Sequence, residues 1–354
     1  MADKIQSKRN KIDKIDKEIV KLINKRASVA LEIGKDKKKN NSEFYLPSRE
    51  SEVIKNILSS KNIIKDEGFE AIYSEIISAC RSLEKTLKIA FLGPWATFTH
   101  QAAIRKFGSS ALFVPCMVIS DVFDEIEKGR ADFGIVPVEN SNEGSVNITL
   151  DLLAETELKI CGEISLKIEQ CFLVKDDKAK ILRIYSHPQA LAQCRNYINS
   201  HYGDIEIISV SSTAEAAKKV SKENFSAAIA SEAAAKIYNL RAAEKGIQDG
   251  IQNFTRFFVI GKAQSKPSGS DKTSLALMIK DKVGALYEIL GIFDKSGINL
   301  TKIESRPSKK KLWEYIFFID IEGHIEDKKI VSSLEKLRDI CVSVKILGSY
   351  PKTS

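Results

Sequence analysis

No apolar run in the 354-residue chain approaches the ~20 residues that cross a bilayer, so a membrane-spanning protein is not expected. The N-terminal stretch is dense in charge and lacks the apolar core that a secretory signal needs. Cys80, Cys116, Cys161, Cys171, Cys194 and Cys341 form no CxxC pair and no other metal-ligand spacing. Most lie in apolar or mixed segments, which predicts buried, reduced thiols. The expectation is a cytoplasmic protein.

What is present is ordinary for a soluble chain. The composition is 43% hydrophobic and 29% charged, and the length has room for two or three domains. The net charge of +8 is unevenly spread. Residues 1–40 hold 11 Lys and 2 Arg against 4 Asp and 2 Glu, an excess of 7 that leaves the remainder near neutral. A nucleic-acid-binding arm is one reading of that excess. Interleaved Asp and Lys, however, mark a solvated helical face, so no nucleic-acid partner is expected. The cations on the inner face suit a small anionic ligand better.

Residues 1–85 read as helical throughout. In "KIDKIDKEIVKLINKRASVALEIGKDKKK", Ile12, Ile15, Ile19, Leu22, Val29 and Ile33 recur at spacings of three, four and seven, one face of a long helix. Two shorter helices follow: "PSRESEVIKNIL", with Ser48 as expected N-cap and Glu50 and Glu52 in its first turn, and "DEGFEAIYSEIISACRSLEK". From residue 86 to 263 strand-like runs ("KIAFLG", "DFGIVPV", "RIYSHP", "RFFVIG") alternate with helical patterns ("HQAAIRKF", "STAEAAKKVS"). This predicts an α/β domain with mainly parallel sheets. Residues 264–272 lie in a Gly/Ser/Pro/Lys-rich linker. Residues 273–354 then read strand, helix, strand, strand, helix, strand, the α+β ferredoxin-like order.

Arg26 interrupts the apolar seam of the first helix, four residues after Leu22. Lys37 lies eleven residues on, about 16 Å along the same face, so the two cations could grip the ends of a small dicarboxylate. Arg9 lies about 25 Å back and roughly 100° round the helix; it could join such a site only from a second, antiparallel subunit. Alternatively Arg26 snorkels out of a coiled-coil seam or pairs with a Glu across it.

Residues 5–84, with "KRASVALEIGKDK" and "PSRESEV" as the strongest matches, resemble the all-helical chorismate mutase domain. The resemblance implies an intertwined homodimer, or a higher homo-oligomer, that rearranges chorismate to prephenate. Arg26, Lys37 and Arg49 would bind substrate from one chain and Arg9 from the other. Glu50 would receive the ring hydroxyl, and Glu84 would face the breaking ether oxygen. Many relatives carry Gln at the position of Glu84, which can donate to that oxygen only when protonated. Leu46 and Cys80 are two further departures, where relatives carry Asp and Ser.

In the second segment, polar groups gather where strands meet helices, the places where α/β domains bind ligands. They are Thr97 and Thr99 in "GPWATFTHQAA", Asn140 and Ser141 in "VPVENSNEGSVNITLDLL", Ser186 and Gln189 in "SHPQALAQC", and Thr255 and Arg256 in "NFTRFFVIG". Singly, each could be a turn, cap or structural pair. Together they closely resemble prephenate dehydratase, which implies a two-lobed fold like the type 2 periplasmic binding proteins, with prephenate in the cleft. Thr255 would be the catalytic threonine, Arg256 a cationic anchor, and the other six cleft-lining polar groups. No metal or cofactor is implied. Trp95 and Ala96 depart from the family's usual Glu-Gly.

The last segment, "VGALYEILGIFDKSGINLTKIESRP", resembles an ACT regulatory domain of the phenylalanine-binding kind. The resemblance implies phenylalanine binding by Gly284, Ala285, Leu286, Asn299, Leu300, Glu304, Ser305 and Arg306. In this order the three resemblances imply a bifunctional chorismate mutase–prephenate dehydratase with feedback inhibition by phenylalanine. The alternatives are a dehydratase with an inert helical domain and a non-catalytic sensor of aromatic acids.

Overall fold

The computed structural model describes residues 2–40, 43–59, 63–176, 180–250, 252–279, 282–307 and 315–353. Contacts divide the chain into two units, Met1–Leu46 with Glu52–Leu87 and Ile104–Leu112, and Pro47–Ser51 with Lys88–Ala103 and Phe113–Ser354.

The smaller unit is built on helices α1 (Ala2–Lys39) and α3 (Asp66–Glu84), which pack together. The apolar seam of α1 is not covered within the chain. Ile12, Ile15, Ile19, Leu22, Val29 and Ile33 all stand exposed, Leu22 at 65%. About a quarter-turn round the helix from Ile33, Gly34 meets the end of α3. A Cβ built there would lie 3.0 Å from Glu84 Cβ, so only glycine permits this approach without displacing α3. Arg81 of α3 is buried, donates to the Phe107 carbonyl at 2.7 Å and lies over the rings of Tyr45 and Phe107. Helix α2 (Pro47–Leu58) begins two residues earlier than an N-cap at Ser48 would give. Leu46, not Ser48, is its N-cap and supplies no side-chain cap, and Pro47 occupies the first helical position, where its missing N–H costs nothing.

The chain continues with β1 (Lys88–Leu92), α4 (Phe98–Phe107, whose last turn belongs to the smaller unit), β2 (Leu112–Cys116), α5 (Ile119–Glu127), β3 (Phe133–Asn140), β4 (Gly144–Ser145), α6 (Asn147–Glu155) and β5 (Lys159–Lys167). The chain then builds a second lobe. Its elements are β6 (Cys171–Val174), β7 (Arg183–Ser186), α7 (Pro188–Gln193), α8 (Arg195–Tyr202), β8 (Glu206–Ser209), α9 (Thr213–Val220), β9 (Ser226–Ala230), α10 (Glu232–Tyr238) and β10 (Arg241–Lys245). It returns to the first lobe as β11 (Phe254–Gly261). The strand orders are β2-β1-β3-β11-β5 and β10-β6-β9-β7-β8.

Neither sheet is mainly parallel, contrary to expectation. The β1–β3, β7–β8 and β7–β9 pairs are parallel, but β11 runs antiparallel to β3 and β5, and β6 to β9 and β10. The antiparallel strands flank the two crossings between lobes, where the chain enters a sheet from the other side.

The C-terminal part is β12 (Asp271–Ile279), α11 (Ala285–Lys295), β13 (Leu300–Pro307), β14 (Tyr315–Glu322), α12 (Lys328–Ile340) and β15 (Cys341–Pro351). Its sheet order is β13-β14-β12-β15, the ferredoxin-like arrangement expected. Strand alternation gives this sheet two apolar faces. Leu275, Leu277, Ile319 and Ile321 join the core under α11 and α12, whereas Ala276, Phe318, Leu347 and Tyr350 join the core of the first lobe. Gly348 sits so close to β5 that an added Cβ would fall 2.2 Å from the Ile160 carbonyl oxygen. The six cysteines are buried, and burial pushes the thiols of Cys116 and Cys171 up to about 11.

Candidate active sites

A cavity of about 410 Å³ opens in the two-lobed part, at a size suited to a small organic ligand. The β1–α4 turn contributes Thr97, Phe98 and Thr99, and β3 contributes Pro137 and Asn140. The second lobe contributes His187, Gln189 and Gln193 around α7, with Ser212 and Thr213 at the start of α9. Thr255 and Phe257 of β11 complete it. Among the described residues no Asp, Glu, Lys or Arg lines this cavity. Its polarity is that of hydroxyls, amides, the His187 imidazole and backbone N–H groups.

Thr255 and Asn140 are ladder partners, which puts their side chains on the same face. Asn140 Nδ2 donates to Thr255 Oγ1 at 2.9 Å and to Asn253 Oδ1 at 2.8 Å. Asn253 Nδ2 in turn donates to Gln193 Oε1 at 3.0 Å. This amide chain runs from the first lobe to the second and ends on the threonine hydroxyl. Because Asn140 donates to Oγ1, the Thr255 O–H remains available as a donor.

Of the expected cleft residues, Thr97, Thr99, Asn140, Gln189 and Thr255 line the cavity. Ser186 does not. It is fully buried and donates to the Ile229 carbonyl at 2.6 Å. Ser141 accepts from the Phe254 N–H at 3.0 Å and likewise stands outside the lining. Arg256 is not an anchor in the cleft. Its guanidinium donates to Glu163 at 2.7 Å, Asp320 at 2.6 Å and the Tyr350 hydroxyl at 3.1 Å. The reason is strand geometry, because neighbours in a strand face opposite sides and Thr255 takes the cleft side. Gln193 and Asn253 were missed. Gln193 lies four residues after Gln189, on the same face of a helix, and Asn253 is two residues before Thr255.

In the helical unit, Lys37 Nζ bonds Glu84 Oε2 at 2.8 Å and the Phe44 carbonyl at 3.2 Å. Arg26 is half-buried on the same helix, and Arg9 is exposed near its start. Arg49 and Glu50 occupy the first turn of α2.

Comparison with known proteins gives the same three segments. Residues 8–85 match chorismate mutase type II, 89–265 prephenate dehydratase and 273–339 the ACT domain. The bifunctional chorismate mutase/prephenate dehydratase of Aquifex aeolicus is 48% identical over 99% of this chain and 98% of its own length. The chain belongs to that bifunctional family. The Pseudomonas aeruginosa member is 44% identical, covering 99% of both chains. Among solved structures, the Arthrobacter aurescens prephenate dehydratase in complex with L-Phe aligns with a TM-score of 0.69 at 33% identity. That alignment covers 75% of this chain and 90% of the other.

The Trp95–Ala96 turn is held by several contacts of its own. Ala96 adopts φ 70°, uncommon for a residue with a Cβ, while its N–H donates to His100 Nδ1 at 3.3 Å. The Trp95 ring stands edge-on to Phe91 and His100, and its carbonyl accepts from the Tyr238 hydroxyl at 3.3 Å. In the ACT domain, Gly284 sits at φ 81° before α11, followed by buried Ala285 and half-buried Leu286. The Asn299 carbonyl accepts from the Glu322 N–H, and Leu300 pairs with Ile321. Glu304 lies on the same face of β13 as Lys302 and Arg306, with Ser305 on the other. Arg306, expected at the phenylalanine site, is committed elsewhere. It forms a two-point pair with Asp151 of α6 at 2.8 and 3.0 Å.

Proposed function

We propose that the chain rearranges chorismate to prephenate and then converts prephenate to phenylpyruvate, with phenylalanine at the ACT domain inhibiting the second step. The observation that carries this reading is the Asn140–Thr255 contact at the edge of a cavity that, among the described residues, no Lys or Arg lines.

In the second reaction the bond from the ring to its carboxylate breaks and CO₂ leaves. The freed electron pair completes the aromatic ring and expels the ring hydroxyl, which takes up a proton and leaves as water. Thr255, its oxygen already accepting from Asn140, donates to that departing oxygen as charge grows on it. The side-chain carboxylate of prephenate is received by hydroxyls and N–H groups at the start of α9 and in the β1–α4 turn. A departing carboxylate that meets no cation loses CO₂ more readily, because ion pairing would stabilise the ground state.

The first reaction is pericyclic and needs no nucleophile or base. Arg26, Lys37 and Arg49, with Arg9 of a second subunit, hold the two carboxylates so that the reacting ends meet. Glu84 orients Lys37, which donates to the ether oxygen, and Glu50 receives the ring hydroxyl. The exposed seam of α1 supports a homodimer, since exposed apolar stripes of this length mark association.

A coupled assay tests the reading: chorismate is supplied, and prephenate and phenylpyruvate are measured separately. Both should form, and phenylalanine should lower only the second. Phenylpyruvate from added prephenate but not from chorismate would mean an inert helical domain. Neither product would mean a binding protein.

A further inference from the structure

On the β3–β11 ladder, Thr255 pairs with Asn140 and, one rung on, Arg256 pairs with Glu139. Consecutive rungs face opposite sides of a sheet. The first rung opens on the cleft, and the second meets the ACT sheet. There a second rung, Lys302 of β13 opposite Asp320 of β14, lies across from it. The charges cross-pair. Lys302 Nζ lies 2.9 Å from Glu139 Oε2, and Arg256 Nη1 lies 2.6 Å from Asp320 Oδ2 and 3.9 Å from Glu139.

The surroundings make this quartet stiff on one side and adjustable on the other. Asp320 is buried and accepts from Ser274 at 2.5 Å, and Glu163, also buried, holds the far edge of Arg256. Each rung also abuts an irregularity, between Arg256 and Phe257 in one ladder and between Leu300 and Lys302 in the other. Regular pairing therefore does not fix either rung on that side.

We propose that Glu139 and Arg256 are positioning residues for the Asn140–Thr255 hydrogen bond, and that the Lys302/Asp320 rung sets them. A ligand acting on β13, where Glu304 is two residues from Lys302, then changes the reach of the Thr255 hydroxyl without entering the cleft. This rests on the dehydratase chemistry and phenylalanine control proposed above. It supplies what any such control requires, a contact that differs in strength between two states.

The test uses the full chain with Lys302→Met, Lys302→Arg and Asp320→Asn. Prephenate kcat and KM are measured with and without phenylalanine, the chorismate mutase rate is followed in the same sample, and the thermal unfolding transition of each variant, set against the parent's, reports folding. For Lys302→Met, kcat should fall about tenfold with KM held within about twofold. The inhibition factor should shrink at least about fivefold, a typical coupling. Lys302→Arg should restore both, and the mutase rate should stay at the parental level. If Lys302→Met lacks the parental unfolding transition, Asp320→Asn, which removes charge but little volume, decides by the same readouts. Parental kcat and parental inhibition in a folded Lys302→Met or Asp320→Asn protein overturn the proposal. A parent that neither dehydrates prephenate nor responds to phenylalanine overturns the functional reading beneath it instead.

Discussion

At Thr255 the useful property is a direction. The hydroxyl oxygen accepts from Asn140 at 2.9 Å, so its proton is left free to donate beside the cavity that Thr255 lines. His100 behind the β1–α4 turn shows the same dependence on neighbours. It is buried, stacked on Phe91 at 4.8 Å, and burial lowers its pKa from the ordinary 6.5. Below about pH 6.5 the unfolded chain takes up a proton that the folded chain refuses, so stability should fall with pH in that window. Melting temperatures from about pH 7.5 to 5 should drop less steeply for His100→Gln than for the parent; parallel curves would exclude His100 as a source. How much was legible varies residue by residue. Thr255, Asn140 and Gln189 announced themselves by residue type at strand and helix ends. The orientation of Arg256 could have been inferred once Thr255 was placed, because adjacent strand residues cannot both face a cleft. That Asp320, 64 positions away, would be its partner could not.

Elements were readable where their periodicity was strong. The seam of α1 and the strand–helix order of the ACT domain both appear in the fold as expected. Strands β5 and β10 did not stand out. The sequence of β10, "RAAEK", is charged and mostly exposed, and β5 mixes buried glycine and glutamate with apolar residues. Their identity as strands comes from pairing beside the crossings, a tertiary effect that outweighs local propensity. Gly34 illustrates the opposite case, a local preference set aside for packing. Replacing glycine by alanine inside a helix ordinarily adds roughly 0.5–1 kcal/mol, yet here the new Cβ would press on Glu84 at 3.0 Å. Gly34→Ala should therefore lower the mutase rate by about tenfold, in line with the cost of small misplacements, and leave the dehydratase rate unchanged. An unaltered mutase rate would show that α3 yields without disturbing the Lys37–Glu84 pair.

For the whole molecule, the division of labour follows from what each part can bury. The ACT sheet gives one apolar face to its own helices and the other to the first lobe, which makes regulator and dehydratase one body of contacts. The helical unit leaves the apolar residues of the α1 seam exposed, which is what the proposed homodimer would cover. If Arg9 completes a site across that seam, Arg9→Ala and Arg26→Ala proteins, each inactive as a mutase, should regain part of the activity when mixed and allowed to exchange. Proven exchange with no recovery would place Arg9 outside the site. The account's central claim, two reactions at two separate sites on one chain, is tested most directly by crossing two variants with two substrates. Thr255→Val should form prephenate from chorismate at the parental rate but lose roughly 10²–10³-fold in phenylpyruvate formation, the usual loss for one donor to a developing oxyanion. Arg26→Ala should do the reverse, failing with chorismate and turning over supplied prephenate normally. A Thr255→Val protein that converts prephenate at the parental rate would contradict the account.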